Sequence, residues 1–508
     1  MSYLGQAPGQ GQAEYFLFTA SGSETSVTTA DDGRVVSYTV GQVSVYLNGV
    51  KLVEGSGKDF QATNGSTITG LSALTASDVV EVVALSAFSP SDTVSAANGG
   101  TFNGNVSFGD NNITNVGSIA LDSISADGSS ITLSNNTTAS GNLTITGDLI
   151  PSEPLSNRNM IINGGMQVWQ RATAATTASG YNTVDRWKTQ NQAGGAYTVE
   201  KHTMSLSELN TTGHATALKA VVTSVDSSID AGHYARIFQM IEAQNLQHLQ
   251  YGTANAKTIT LSFWVKSSKT GTYCIALYKP DTTPYYYVKE YSISSADTWE
   301  KKTITITPTA GSTSLITGSG GVINNDSGHG LYVAFGLAWG SDYNTGTDNS
   351  WGSGSDKWAT TNQVNWLDST SNNFYITGVQ LELGSNATPF EHRSYADELA
   401  KCQRYLQHHQ AQNSWASFGN GQAISTTAVE VFIPFIKTMR AQPTVTEYLA
   451  CASDGVNTVK DVTATGAIYW TTQGTNITFT VSGATQNRSY AVISNASSDG
   501  YLRLDSEL

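Results

Sequence analysis

The feature that most constrains the fold is a series of short segments in which apolar and polar residues alternate. Four of them follow one another at residues 258–268, 271–280, 298–308 and 331–339. A period of two residues is that of a β-strand, and Gly, Asn and Asp between such segments favour turns. Long helical patterns are almost absent, and the recurrent aromatic and β-branched residues exclude a disordered chain. The chain is therefore predicted to be mainly β.

Residues 1–90 are predicted to form a compact N-terminal β domain. Asn48-Gly49 lies between two alternating apolar runs, and this dipeptide favours a type I′ hairpin because both positions need a positive φ. Asp78–Leu85 (DVVEVVAL) reads as a further buried strand.

Residues 91–154 are predicted to form a trimeric β shaft. Gly104–Ile113 (GNVSFGDNNI) recurs as Gly141–Ile150 (GNLTITGDLI), and the stretch contains no Trp, Cys, Lys or Arg. It has too few large apolar groups for a core of its own, so its short strands would bury small apolar faces against neighbouring copies. The alternative is a flexible linker, against which the regular alternation of Val, Ile and Leu argues.

Residues 155–394 are predicted to form one jelly-roll β-sandwich. Eight of the ten tryptophans lie between Trp169 and Trp366, so the large side chains that a core needs are concentrated here. In the last strand the inward-facing phase changes at Thr377-Gly378, which predicts a β-bulge.

A short linking helix is predicted at residues 395–410, with its helical pattern ending near residue 409. Ser394 precedes Asp397 by three residues, which is typical of a helix N-cap, and apolar residues then recur at spacings of three and four. The last segment, 411–508, returns to alternating patterns and is predicted to be a C-terminal β tip domain, to which the helix relays the chain.

Composition and charge exclude several classes of partner. The net charge of −14 comes without a basic stripe, so no nucleic acid is expected. Cys274, Cys402 and Cys451 are odd in number and widely spaced, which predicts buried free thiols in a chain folded in a reducing cytoplasm. The chain shows neither a signal peptide nor an apolar run of 18 residues, so no membrane insertion is expected.

No sequence motif of an enzyme is present. Asp281, Glu290, Glu300 and Asp368 are carboxylates within the sandwich, but their spacing marks no pair of the kind that glycoside hydrolysis needs. His408-His409, as neighbours on a helix, would point about 100° apart and could not share a metal; solvent exposure is expected for both. The chain is predicted to have no catalytic residue, no cofactor and no metal.

Two aromatic clusters are candidates for glycan binding, because flat rings stack on sugar CH groups. A Gly- and Asp-rich loop between Trp339 and Trp358 holds Tyr343, Trp351 and Trp358, while a proline turn precedes Tyr285, Tyr286 and Tyr287. The predicted ligand-binding residues are Tyr343, Trp351, Trp358, Tyr285 and Tyr287. The alternatives are that the tryptophans pin the loop to the sandwich, and that the tyrosines are ordinary strand residues, of which alternation exposes some and buries the rest.

Four segments resemble parts of bacteriophage tail fibre proteins. Arg158–Thr173 (RNMIINGGMQVWQRAT) and Thr377–Gln407 (TGVQLELGSNATPFEHRSYADELAKCQRYLQ) resemble the segments that bracket a carbohydrate-binding-module-like sandwich in that family. Phe432–Thr446 (FIPFIKTMRAQPTVT) is similar to part of the tip domain that often follows it. Residues 43–69 resemble the tail-attachment domain of fibres from phages of cyanobacteria and other marine hosts.

The resemblance implies a homotrimeric structural protein of the virion tail, made in the host cytoplasm. Residues 1–90 would dock on tail adaptor or nozzle proteins, and the C-terminal half would bind a host surface polysaccharide or lipopolysaccharide. Related carbohydrate-binding modules often hold calcium through an acidic residue of the last strand, but Ile376–Val379 contains none, so no calcium site is predicted. The main alternative is a tailspike-like glycan depolymerase; a bacterial carbohydrate-binding surface protein would need an export signal, which is not visible.

Overall fold

The computed structural model describes residues 12–86, 156–354, 356–456 and 459–508. The chain divides into two compact units, Met1–Gly141 and Asn142–Leu508. Both units are built from antiparallel sheets, which confirms the prediction of a mainly β chain. The predicted shaft, 91–154, lies outside the described residues.

The first unit contains one four-stranded antiparallel sheet with the order β1-β4-β2-β3. Its strands are β1 (Gln12–Thr19), β2 (Val43–Leu47), β3 (Val50–Lys51) and β4 (Val79–Ser86). Asn48 and Gly49 both have a positive φ, and β2 pairs with β3 around them, so the predicted hairpin is confirmed. The predicted strand of alternating valines is β4, whose Val80 and Val82 are fully buried.

The second unit begins with a sandwich of two six-stranded sheets. Sheet I has the order β13-β10-β16-β8-β7-β5 and sheet II the order β15-β12-β11-β14-β9-β6. The strands are β5 (Thr176–Thr177), β6 (Lys188–Asn191), β7 (Ala196–Thr203), β8 (Thr216–Ser224), β9 (Tyr234–Glu242), β10 (Ile259–Ser267), β11 (Gly271–Lys279), β12 (Tyr285–Ile293), β13 (Glu300–Ile306), β14 (His329–Trp339), β15 (Ser350–Ser353) and β16 (Asn373–Leu383). A short helix, α1 (Leu206–Thr212), joins β7 to β8 and is capped by Ser205.

The inner faces of the two sheets pack on one another. Phe263 of β10 meets Phe335 of β14 edge to face, with 5.0 Å between the ring centroids. Tyr273 of β11 contacts Phe374 of β16 in a tilted arrangement, with 5.8 Å between the ring centroids. Burial of these large rings between two sheets contributes to the apolar stabilisation of the sandwich.

The bulge predicted in the last sandwich strand is confirmed. Between the pairs Ser262↔Gln380 and Trp264↔Thr377, β16 has one residue more than β10. Gly378 has a φ of +61°, and a Cβ there would come within 2.4 Å of His214 Nε2, so only glycine fits without displacement. Because of the extra residue, the apolar side chains before the bulge (Phe374, Ile376) and after it (Val379, Leu381) are all buried.

The linking helix is shorter than predicted. Helix α2 (Tyr395–Cys402) begins as expected, because the Ser394 hydroxyl accepts a hydrogen bond from the Asp397 backbone N–H. The predicted continuation to about residue 409 is wrong, because Leu406–Gln410 forms strand β17 and pairs with the last strand of the chain. His408 and His409 therefore lie on a strand rather than on a helix, and both are half-buried rather than exposed.

The rest of the second unit forms two further antiparallel sheets, with the orders β17-β26-β20 and β22-β21-β25-β18-β19-β24-β23. Their strands after β17 are β18 (Ser417–Ser425), β19 (Ala428–Pro434), β20 (Thr444–Tyr448), β21 (Ala450–Ser453), β22 (Val459–Asp461), β23 (Ala464–Trp470), β24 (Gly474–Thr480), β25 (Ser489–Ser494) and β26 (Tyr501–Asp505). These sheets bury a separate cluster that includes Val431, Phe479 and Val492. The return to β structure predicted after the helix is thus confirmed.

The end of the chain returns to the sandwich. Arg171 and the buried Arg186 pair with Asp505 and Glu507, and the Arg171–Asp505 contact is 2.8 Å long. The Arg186 guanidinium also lies over the Tyr405 ring, 3.4 Å from its centroid. Two buried arginines therefore connect the sandwich to β26 and to the residues that follow it.

All three cysteines are free and buried, as predicted. Within the described residues, no helix is long and apolar enough to cross a membrane.

Candidate functional site

Three of the predicted ligand-binding residues face the interior of the sandwich. Trp351 is 1% exposed and donates from its indole N–H to the Thr307 carbonyl, at 3.0 Å. Tyr287 is 0% exposed, and its hydroxyl donates to Asn349 at 2.8 Å. Tyr285 belongs to the same core. The expectation that these rings reach solvent is wrong, because all three side chains face the apolar core between the two sheets.

The other two predicted residues, Tyr343 and Trp358, lie together on the outer face of sheet II. Trp358 stacks parallel to Trp339 with 5.7 Å between the ring centroids, and is itself buried. Tyr343 is half-buried and meets Tyr234 edge to face at 5.1 Å. Trp358 thus attaches the loop to the sheet, in agreement with the alternative that the loop tryptophans are structural. Tyr343 remains partly exposed to solvent.

Strand register builds a row of tyrosines on this outer face. Tyr286, Tyr278 and Tyr332 stand directly opposite one another on β12, β11 and β14. Their ring centroids are 4.5 Å and 5.2 Å apart. Tyr286 is buried beneath the loop, whereas Tyr278 and Tyr332 are half-exposed.

The next row of the sheet holds small side chains that leave room for the loop tryptophan. Ala276 and Ala334 are paired neighbours, and they share one apolar cluster with Trp358 and Phe238. Trp358 reaches within 5.4 Å of Tyr278, measured between ring centroids. The indole therefore supports the exposed tyrosine from the side.

A hydrogen bond and a glycine hold the loop and the two tryptophans in position. The Gln363 side chain accepts from the Cys274 backbone N–H at 2.6 Å, which ties the loop to β11. A Cβ at Gly336 would come within 2.2 Å of Trp339 Nε1, so the glycine makes space for the indole. Contacts within the chain therefore hold the rings in place.

Two cations lie on the same face. The Arg236 guanidinium lies over Phe238 and Trp358, at 4.5 Å and 4.4 Å from the ring centroids, and donates to Gln190 Oε1 at 2.7 Å. Lys188 Nζ lies 5.3 Å from the Tyr181 ring centroid. Burial lowers the pKa of Arg236, and burial together with the charge of Arg236 lowers the pKa of Lys188.

The Tyr332 hydroxyl adds a neutral polar group. It lies 2.6 Å from His329 Nδ1, and burial, with a smaller effect from Tyr278, raises the pKa of Tyr332 to about 12. The phenol therefore stays protonated at neutral pH and is available for hydrogen bonds.

We call this surface the aromatic face. Its half-exposed members are Tyr181, Lys188, Tyr234, Arg236, Tyr278, Tyr332 and Tyr343. Sequence reasoning missed all of them except Tyr343. The signal that could have found them is the pair of tyrosines near the ends of β11 and β14, combined with the register between these strands, which the sequence alone does not supply. Chemically, the surface offers flat rings, a phenol and two cations on an open sheet.

The carboxylates considered for catalysis are held in separate structural contacts. Glu290, on sheet II, accepts a hydrogen bond from the Asn362 side chain, whereas Glu300, on sheet I, pairs with Lys302. Asp281 accepts from the Asn324 backbone at 3.0 Å, and Asp368 pairs with Lys269. In the part of the chain that the structure describes, no group of three or more His, Cys, Asp or Glu residues could hold a metal ion.

No protein family and no curated protein matches the sequence. Among solved structures, the chain is similar at 12% identity to the enzymatically active domain of tailspike protein 4 from bacteriophage CBA120, with a TM-score of 0.23, over 44% of this chain and 21% of the tailspike. A putative sugar binding protein from Bacteroides thetaiotaomicron gives 12% identity and a TM-score of 0.24, over 45% and 100% of the two chains. TmCBM61, solved with β-1,4-galactotriose, gives 12% and 0.20 over 45% and 100%. The chain thus spans about a fifth of the tailspike domain, and these likenesses are too distant to assign a function.

Proposed function

We propose that this chain is a subunit of a bacteriophage tail fibre and binds a glycan of the host surface through the aromatic face. The observation that carries the binding proposal is the pair Tyr278 and Tyr332, whose half-exposed rings lie side by side on adjacent strands.

The chemistry of the face suits a sugar. Pyranose CH groups pack on flat aromatic rings, while the phenol and amide groups at the margin form hydrogen bonds to hydroxyls. Trp358 holds the Tyr278 ring in place before any ligand arrives, so little side-chain entropy is lost on binding. The face is an open sheet surface rather than a closed pocket, which favours an internal segment of a polysaccharide over a chain end.

The tail fibre role is supported by the resemblance of Arg158–Thr173 and Thr377–Gln407 to that family. In this role residues 1–90 attach the chain to the virion tail through adaptor or nozzle proteins. Three copies side by side place three aromatic faces on one fibre, and linked sites raise the effective concentration of the second and third binding events. Weak single sites then suffice for firm attachment.

Binding without cleavage is favoured over a tailspike-like depolymerase. Retaining and inverting glycosidases need two carboxyl groups on opposite sides of one sugar bond. Glu290 and Glu300 lie on different sheets, and the members of the aromatic face are phenols, a lysine and an arginine. The seven residues of the aromatic face thus include no carboxylic acid that could protonate a leaving group.

Incubation of the purified chain with bacterial polysaccharide and lipopolysaccharide tests both parts of the proposal. Binding should be measurable by isothermal titration, and size-exclusion chromatography of the polysaccharide should show no shortening over hours. Steady release of oligosaccharides would support the depolymerase instead, and absence of binding across a broad panel of bacterial glycans would contradict glycan recognition.

A further inference from the structure

Two lysines on the outer face of sheet I have carboxylate partners, which distinguishes them from the cations of the aromatic face on sheet II. On sheet I, Lys219 and Lys266 both lie over the Tyr375 ring, at 6.0 Å and 4.2 Å from its centroid. Each is paired with a carboxylate: Lys219 with Glu200 at 2.7 Å, and Lys266 with Glu208 at 2.6 Å. These two lysines are therefore already neutralised.

The two cations of the aromatic face are not neutralised in this way. Within residues 12–86, 156–354, 356–456 and 459–508, neither Lys188 nor Arg236 forms an ion pair with a carboxylate. Both lie over Phe238, at 5.9 Å and 4.5 Å from the ring centroid, and the charge of Arg236 disfavours the charged form of Lys188. Two like charges held together on a partly desolvated face cost free energy unless an anion joins them.

Acids act on this part of the chain without pairing with the two cations: after the larger effect of burial, the charge of Asp356 raises the pKa of Tyr234 and of Tyr286. Asp505 and Glu507 favour the charged form of Lys188, but both carboxylates are already paired with Arg171 and Arg186. Within the part of the chain that the structure describes, the guanidinium of Arg236 donates to one side chain, the neutral Gln190 amide. Among the described residues, Lys188 and Arg236 therefore keep their charges without a carboxylate of their own, although the whole chain carries −14.

We infer that the glycan bound by the aromatic face is acidic, and that Lys188 and Arg236 bind a carboxylate or another anionic substituent of a sugar whose ring packs on Tyr332. This inference rests on the proposed function. A planar guanidinium fixed by stacking on Phe238 and Trp358 forms hydrogen bonds to a carboxylate at low entropic cost, and charge-assisted bonds of this kind are about twice as strong as neutral ones.

A printed array of matched glycan pairs tests the inference with the full-length chain. Each pair consists of an oligosaccharide that contains glucuronate, galacturonate or sialate, and of the same oligosaccharide after reduction of its carboxyl group to a hydroxymethyl group. The acidic member of at least one pair should bind about tenfold more tightly or better, and this preference should weaken as salt is raised from 0.05 to about 0.5 M, because exposed charges are screened.

Two variants locate the preference. Lys188→Gln and Arg236→Gln should each reduce the ratio of acidic to neutral binding severalfold while binding to the neutral member changes less. Lys219→Gln is the matched control, since it removes a lysine that also lies over a tyrosine but on the opposite sheet. Circular dichroism and thermal unfolding of each variant check that the fold is retained.

The outcomes separate this inference from the function on which it rests. Equal binding of both members of every pair, lost in Tyr278→Ala, would overturn the acidic ligand and leave glycan binding intact. A preference that persists in Lys188→Gln and Arg236→Gln, or that is lost equally in Lys219→Gln, would overturn the assignment to these two cations. Absence of binding to every glycan of the array would overturn the proposed function and the acidic ligand together.

Discussion

The indole of Trp358 lies parallel to that of Trp339, with 5.7 Å between the ring centroids and 9° between the ring planes. Trp339 ends β14, whereas Trp358 comes from the loop that follows it, so this stack attaches the loop to sheet II. Trp358 also contacts Tyr278, Tyr286 and Arg236. One buried side chain thus supports a half-exposed ring and a cation of the aromatic face.

Replacement of Trp358 by Ala should lower both stability and glycan binding. The side chain is 6% exposed, so its removal leaves a cavity and should lower the free energy of unfolding by about 3–5 kcal/mol. Binding should fall because Tyr278 and Arg236 lose the ring that holds them. Chemical denaturation and isothermal titration measure the two effects. Trp415→Ala is the control, because Trp415 is 49% exposed and its loss should change stability by about 0.5 kcal/mol or less; equal effects of both changes would contradict the assigned role of Trp358.

Replacement of Gly336 by Ala should destabilise the aromatic face by displacing the Trp339 indole, on which Trp358 stacks. The new methyl group would come within 2.2 Å of Trp339 Nε1, and overpacking of this kind costs about 1–3 kcal/mol. Thermal unfolding should show a lowered Tm. Gly466→Ala is a matched control, since nothing lies within 4 Å of a Cβ at that strand position. A Tm for Gly336→Ala as high as that of the control would show that Trp339 moves freely, against the packing described above.

Acidification should destabilise the sandwich through His214. Burial, followed by the charges of His392 and Lys301, lowers the pKa of His214 to about 4, while the unfolded chain has its ordinary pKa of about 6.5. The unfolded state therefore binds the proton first, and the stability contributed by the neutral ring is lost as the pH falls from about 6.5 to about 4. Between pH 7 and pH 5 this loss should amount to about 2 kcal/mol.

The comparison of the wild-type chain with His214→Phe isolates this effect. Phe keeps a ring beside Gly378 but cannot titrate, so denaturant unfolding of the variant should lose about 2 kcal/mol less between pH 7 and pH 5 than the wild type does. The same loss in both proteins would show that other groups account for the acid sensitivity.

The oligomeric state provides a separate check of the tail fibre proposal. The chain has a mass of 53.8 kDa, and light scattering of the full-length protein should give about three times this value. If the shaft holds the trimer together, light scattering of a chain lacking residues 91–154 should give the mass of one shortened chain rather than of three. A full-length mass near that of one chain would contradict the trimeric fibre.

Much of the fold could be predicted from local patterns. The Asn48-Gly49 hairpin, the Ser394 cap and the bulge at Gly378 each depend on the backbone requirements of one or two residues, which the sequence displays directly. The end of helix α2 could not be predicted in this way. Leu406–Gln410 forms a strand because β26, almost a hundred residues later, pairs with it, and this distant partner overrides the local helical pattern.

The candidate site was less accessible to sequence reasoning. Trp351 and Tyr287 lie in stretches rich in turns and aromatic residues, yet both are buried because their side chains face the core between the two sheets. Strand β11 is apolar on both faces, so alternation cannot tell that Tyr278 points outward and Tyr273 inward. Lys188 and Arg236 come together only through the pairing of β6 with β9. These relationships depend on register and long-range pairing, which residue types do not encode locally.

The most direct test of the central claim is the loss of glycan binding in a double variant, Tyr278→Ala with Tyr332→Ala. Removal of both half-exposed rings should weaken binding of a bacterial polysaccharide identified on an array about 5- to 30-fold or more, which corresponds to about 1–2 kcal/mol or more of stacking free energy. Tyr448→Ala with Tyr469→Ala is the control, because these two tyrosines are 50% and 70% exposed on the C-terminal sheets. Isothermal titration should find binding unchanged in the control pair and severely weakened in the first pair; full binding by the Tyr278 and Tyr332 variant would contradict the aromatic face as the glycan site.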